Sequence, residues 1–264
     1  MNMKKAMLAA GFLLLFTTVK AHEFWLEPVR FSGKTFVVRF RVGEHFSGDN
    51  WKGDFSKVRL LSLLNHQQAV ALPAATLLPA VGDSLHLQAP LEGTQTLVYN
   101  GSNTFIELAP AAFAAYLQED GLTDVLQWRK EQGKDSTMGR EYYQRSVKTL
   151  LQNGRTLHPV NYPTELPLDI VPLQNPYAIK KSGQVVFNVF FKQRPLPQAT
   201  VKVWHRSKTG TVEHYDLPMT NGRIEVPVTA EGRWMISLVK MVPHTADQTA
   251  DWQSYWGSIT WGYE

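Results

Sequence analysis

Residues 35–42, TFVVRFRV, alternate so strictly that an extended strand with one buried face is the structure that suits them: Phe36, Val38, Phe40 and Val42 fall on one side, Arg39 and Arg41 on the other. Short runs of the same kind follow in KVRLLSLL, SLHLQA and TQTLVYN, set apart by Pro, Gly, Asn and Asp. That spacing is the strand–turn rhythm of an antiparallel sandwich, whereas βαβ units would place helical periods between the strands. Strand patterning returns at residue 184 in VVFNVFF, ATVKVWHR, GRIEVPV and GRWMISLVKMV, with turn signals at RPLPQ, TNGR and EGR. The expected fold is mainly β: two β-sandwich-like domains, 22–109 and 184–264, the second immunoglobulin-like or transthyretin-like.

Between them the apolar period changes. Phe113, Tyr116 and Leu117 recur at helical spacing after Pro110, and Val125, Leu126 and Arg129 continue it beyond a break at Gly121. A further helix is expected from about Gly139, with Tyr143, Val147, Leu150 and Leu151 as its apolar stripe, Glu141 and Arg145 as a surface pair and Gly154 as its stop. Helix is thus expected from about Pro110 to Leu151, within an insertion covering 110–154. Residues 155–183 carry five prolines in LHPVNYPTELPLDIVPLQNPYAI and are expected to run extended, as a connector bracing the two halves.

The first residues describe a secretory signal. MNMKK is a basic n-region, AMLAAGFLLLFTTV an apolar h-region, and Val19 and Ala21 supply the small residues a signal peptidase inspects. Cleavage after Ala21 would leave His22 as the first residue of an exported, periplasmic chain. The apolar run is shorter than the roughly 20 residues a spanning helix needs, so no membrane span is expected after cleavage. The absence of cysteine excludes disulfides and lipid attachment at the cleavage site. The formal charge of +4 falls to about +1 once Lys4, Lys5 and Lys20 leave, and no basic run or zinc-finger spacing is present, so no nucleic-acid partner is expected.

Six segments, HEFWLEP, RVGEHFSGD, FIELAPAAFAAYLQEDGL, GREYYQRSVKTLL, LPLDIVPLQNPYAI and DWQSYWGSITW, resemble in order and spacing a family of periplasmic proteins of unknown function associated with cobalt and nickel uptake. The resemblance implies a β-rich periplasmic protein that binds a divalent metal and has an envelope metal transporter or receptor as partner. It also implies one departure. Relatives carry a histidine in the neighbourhood that Lys240 occupies here, and a protonated amine is a poor ligand at neutral pH.

An N-terminal histidine can chelate one metal ion through its α-amine and its imidazole Nδ1. The amine titrates near 7.7 to 8.0, far below a lysine, so losing its proton to a metal costs little. One more imidazole completes a three-nitrogen set suited to Cu(II) or Ni(II), and oxygen donors could complete a nickel or cobalt shell. The candidate ligands are therefore His22 with His45, in a Gly-rich loop beside Glu44 and Asp49, or His244, in a loop with Asp247 and Asp251. Glu23, Glu44, Asp251 and Tyr255 are candidate supporting residues. The plainer reading is a solvated terminus and exposed turn histidines, and the remaining histidines read as surface or packing residues.

Trp252, Tyr255, Trp256 and Trp261 crowd the C-terminal segment, where they suit either a glycan- or protein-binding platform or a final strand packed on both sides. No nucleophile elbow, zincin motif, P-loop, dinucleotide fingerprint or cysteine nucleophile is present, so a non-enzymatic role is expected. A copper-dependent oxidative enzyme with a histidine brace at His22 is the enzymatic alternative, using the same ligands as the binding reading.

Overall fold

The computed structural model describes residues 23–51, 54–66, 68–71, 77–78, 84–88 and 92–264. The expected signal segment and His22 lie outside the described residues. The N-terminal part holds β1 (Glu23–Pro28), β2 (Thr35–Glu44), β3 (Ser47–Asn50), β4 (Val58–Leu64), β5 (Ala69–Ala71), β6 (Leu77–Leu78), β7 (Ser84–Gln88), β8 (Gly93–Gly101) and β9 (Thr104–Leu108). Two helices, α1 (Pro110–Glu119) and α2 (Thr123–Glu131), lead into β10 (Gly139–Asn153) and β11 (Leu168–Pro172). The C-terminal part holds β12 (Ser182–Phe191), β13 (Arg194–Pro195), β14 (Gln198–Arg206), β15 (Val212–Thr220), β16 (Arg223–Thr229), β17 (Arg233–Pro243) and β18 (Trp252–Gly262). The fold is mainly β, with the helices inserted between β regions.

The alternation legible in the sequence is realised in β2, which buries Phe36, Val38 and Phe40, and in β16, which buries Ile224, Val226 and Val228 between exposed neighbours. Strands β1, β2, β3, β6 and β7 form a five-stranded sheet. The rest form a thirteen-stranded sheet whose path runs β11-β12-β16-β15-β14-β17-β18-β10-β8-β4-β5, so one sheet passes through both halves. One core gathers Phe24, Leu26, Phe40, Leu97 and Tyr99 of the N-terminal half, and a larger one gathers Val185, Phe187, Val203, Ile236 and Trp261 of the C-terminal half. Strand β18 lies where the two halves meet and is buried at every position, as a strand packed on both sides should be.

The segment expected as a further helix from Gly139 is instead the long strand β10. It pairs in parallel with β18 along one edge and antiparallel with β9 and then β8 along the other. Both of its faces are covered, so Glu141, Gln144, Ser146, Lys148, Thr149 and Gln152 are buried alongside Val147, Leu150 and Leu151. Those buried polar residues imitate the solvent face of a helix and turn a two-sided strand into a false period near four.

Helix α1 ends where the sequence placed its break. The Leu122 N–H donates to the Leu117 carbonyl (2.8 Å) and the Gly121 N–H to that of Gln118 (3.3 Å), with Gly121 at φ 67°. This pair of bonds closes the helix C-terminus around a left-handed glycine. Phe113 fills the space that a Cβ at Gly139 would need, so α1 sits directly on the start of β10. The consequence for the site is that Asp120, at the end of α1, is aimed at β14.

Candidate functional site

Strand β1 is buried at all six positions and is shared between the two halves. Its alternate residues Phe24 and Leu26 enter the N-terminal core, while Trp25 packs with Phe46, Trp204 and Met235. Side chains of β18 hold it from beside: Ser258 Oγ donates to the Phe24 carbonyl (2.9 Å) and Thr260 Oγ1 to that of Leu26 (2.6 Å). On the Trp25 face Glu27 accepts from Arg41 (2.7 Å), Arg206 (2.6 Å) and Arg233 (3.0 Å). Burial alone would raise the Glu27 pKa, but Arg206 and Arg41 outweigh it and hold the carboxylate below its ordinary range.

Glu23, on the same face, has Lys202 as its charged counterpart among the described residues, and that amine also donates to Asp120. Ser237 Oγ donates to Glu23 Oε1 (2.9 Å) and accepts from the Trp204 indole N–H (3.2 Å). Lys202 Nζ donates to Asp120 Oδ1 (2.8 Å), and Thr200, Lys202, Asp120, Glu23 and Trp256 line one small cavity. Beyond Trp256, Glu141 accepts from Ser254 Oγ and from the Tyr116 hydroxyl (3.2 Å), and Tyr116 stacks on Trp256. One carboxylate oxygen of Glu23 and one of Glu141 are buried without a hydrogen-bond partner among the described residues.

Desolvation raises these acids. It pushes Glu23 up to about 7 against the pull of Lys202, Ser237 and the Phe46 N–H. It likewise pushes Glu141 up to about 7 and Asp120 to about 6. Burial also disfavours the charged amine of Lys202, yet Asp120 and Glu23 outweigh it and keep its pKa above the usual value. Folded-state values above the unfolded 4.5 and 3.8 mean that the folded chain binds protons more tightly. The stability these groups contribute is complete below about pH 4 and is lost as pH rises through 6 to 7. Calorimetric melting is therefore expected to give a higher Tm at pH 5 than at pH 8, and Glu23→Gln should flatten that slope. An unchanged slope in Glu23→Gln would show that Glu23 is not a source of it.

The sequence candidates fall at two separate places. Glu44 and Ser47 close a two-residue hairpin in which His45 and Phe46 have φ 55° and 54°. Such a turn requires left-handed residues, unusual for a phenylalanine, and Phe46 is held there by burial against Trp25 and beneath the Arg206 guanidinium. His45 is left exposed at the tip, its ring edge-on to Trp204 at 5.8 Å. His214, read from the sequence as a surface or packing residue, stacks on the same indole at 4.2 Å and bonds Asp216 through Nε2 (2.9 Å). Trp204 thus links two imidazoles to the Ser237–Glu23 hydrogen bonds.

His244 is elsewhere. It follows Pro243, the last residue of β17, seven residues past Ser237 and so about 23 Å along the chain from the Ser237–Glu23 hydrogen bond at about 3.3 Å per residue. Its Nε2 lies 3.2 Å from Asp247, and its ring meets Tyr142 at 5.1 Å. Asp251 is engaged by Arg140 through both oxygens (2.8 and 3.0 Å). Tyr255 packs in the C-terminal core against Phe191, and Lys240 approaches Asp124 at 3.6 Å. Among the described residues no group of three or more His, Asp and Glu is arranged to hold a metal; His22 is outside them.

A family model described as a domain of unknown function, DUF4198, matches residues 19–241. The chain belongs to the DUF4198 family. No curated protein matches it. In this DUF4198 chain segments picked out in the sequence supply the seam with Glu23, Glu27, the His45 hairpin, Asp120, Glu141 and β18, while Lys148 and Asp169 from two of those segments pair with each other on the opposite face of β10. Sequence reasoning named Glu23 as a supporting residue but missed Glu27, Asp120 and Glu141 as buried charges. The available signal was a charge on a strand with apolar residues on both faces, as in EFWLEP, where no face is left for solvent.

Proposed function

We propose that this DUF4198 protein binds a divalent transition metal, copper, nickel or cobalt, through the amine and imidazole of His22 with His45 as the third nitrogen donor, and hands it to an envelope metal-transport system. The observation that carries the reading is the register of β1 on β2, in which Glu23 pairs with Gly43. His45 is two residues beyond Gly43 in the chain, so this register puts the His45 hairpin at the end of β2 that faces the start of β1, which supports His45 as the partner donor. His244 follows the far end of β17 and lies on a different turn from the His45 hairpin. The chelate chemistry of an N-terminal histidine and the preference of imidazole sites for copper and nickel give the metal class.

Calorimetric titration of the exported protein with Cu(II), Ni(II) and Co(II) tests the set. Adding one residue before His22 removes the amine chelate, His22→Ala removes its imidazole, and His45→Ala removes the third donor. Each is expected to weaken binding at least ~10-fold, with His244→Ala unchanged. Full affinity in both the extended chain and His22→Ala would contradict the proposal.

A further inference from the structure

A second cleft, independent of the metal reading, lies between α2, the start of β10 and the turn joining β17 to β18. It is lined by Trp128, Lys134, Arg140, His244, Asp251 and Trp252, with Asp247 and Gln248 at its rim. Trp128 is 39% exposed, which for the largest apolar side chain on a surface helix is conspicuous. It does not swing freely, because its ring stands perpendicular to that of the buried Trp252 at 5.2 Å. The Lys134 amine lies 5.3 Å above its face, a position a ligand can take by displacing one long flexible side chain.

The polar groups around this indole are held in advance. Arg140 forks onto both oxygens of Asp251 and also donates to the Gln248 carbonyl (3.2 Å), and His244 lies against Asp247. The Arg140–Asp251 pair offers planar donors and acceptors with little net charge beside the indole. A fixed aromatic face ringed by paired planar donors and acceptors fits a neutral polyhydroxylated ring, whose C–H face stacks on the indole while its hydroxyls bond the edge. The aromatic surface also continues outward: the His244 ring meets Tyr142 at 5.1 Å, and Tyr142 meets Phe105, itself 42% exposed, at 5.8 Å. That length suits several sugar units in a row.

We propose that this cleft binds a neutral oligosaccharide, with Trp128 as the stacking platform and the Arg140–Asp251 pair and the exposed Asp247 carboxylate as its hydroxyl partners. The test is tryptophan fluorescence and calorimetry on the whole protein, with hexasaccharides of glucose in α-1,4 and β-1,4 linkage, of xylose, and of N-acetylglucosamine as the probes. At least one is expected to bind at millimolar concentration or better. Trp128→Ala should weaken that probe about tenfold or more, and Trp128→Phe, which keeps an aromatic face, should weaken it less. Far-ultraviolet circular dichroism of both variants establishes that they are folded. No binding by any of the four probes, or equal affinity in folded Trp128→Ala, overturns the proposal. Binding only by a charged sugar offered as a fifth probe, glucuronate hexamer, overturns the neutral-ligand assignment.

Discussion

Asp169→Ala is expected to destabilise the protein by about 4 kcal/mol, the middle of the range for breaking a buried ion pair. Lys148 is 2% exposed and its amine lies 2.5 Å from Asp169 Oδ1, while Oδ2 accepts from the Thr164 N–H (2.6 Å) and hydroxyl (3.1 Å). Removing the carboxylate leaves a buried ammonium without its partner and a backbone N–H without its acceptor. For a chain of this size the loss corresponds to a fall in Tm of about 10 °C or somewhat more. The double variant Lys148→Met with Asp169→Leu should recover much of that loss, because two apolar side chains need no partner, although Thr164 would still lack its acceptor. Equal Tm for the single and double variants would show that the stranded charge is not the source of the cost.

Glu27→Ala is expected to cost about 3 kcal/mol, the low end of the same range. Three guanidiniums lose their shared acceptor, but the side chains of Arg41, Arg206 and Arg233 keep 19, 22 and 33% exposure and can turn partly into solvent. The contact joins β1 to β2 within the N-terminal sheet and to β14 and β17 of the C-terminal half, so its loss should loosen the two halves together. Because the Glu27 pKa is lowered in the folded chain, the stabilisation it gives is present above its unfolded value and is lost as pH falls through the folded one. Urea unfolding at pH 7 of Glu27→Ala, Glu27→Gln and the parent chain measures it, with Glu27→Gln intermediate. A Glu27→Ala midpoint equal to that of the parent would contradict the anchoring role.

The parts of the fold legible in the sequence are those where one face meets solvent. Alternation in β2 and β16 and the Gly121 stop of α1 could be read directly, because exposure and burial there follow apolar and polar identity. Strand β10 could not, since Glu141, Lys148 and Gln152 are polar and buried, and only neighbours on both faces make that tolerable. The aromatic C-terminal strand was readable as two-sided packing because bulky residues fall on both of its faces. For the candidate sites, the hairpin position of His45 followed from its glycine-flanked loop. The closeness of His214 to His45 did not, since it depends on the cross-strand pairing of Trp204 with His214, a register that no local pattern encodes. The exposed Trp128 was hidden for a similar reason: the sequence drew attention to the aromatics of β18, which are buried, while the platform comes from α2.

The central claim is that export creates a metal ligand from His22, and native mass spectrometry of the exported protein, made from the full chain and incubated with a stoichiometric amount of Cu(II) or Ni(II), tests it most directly. The account predicts a chain beginning at His22 that retains one metal ion, and a metal-free chain when one residue is added before that histidine. A chain beginning at His22 that stays metal-free, or one that begins elsewhere and holds the ion equally well, would contradict it.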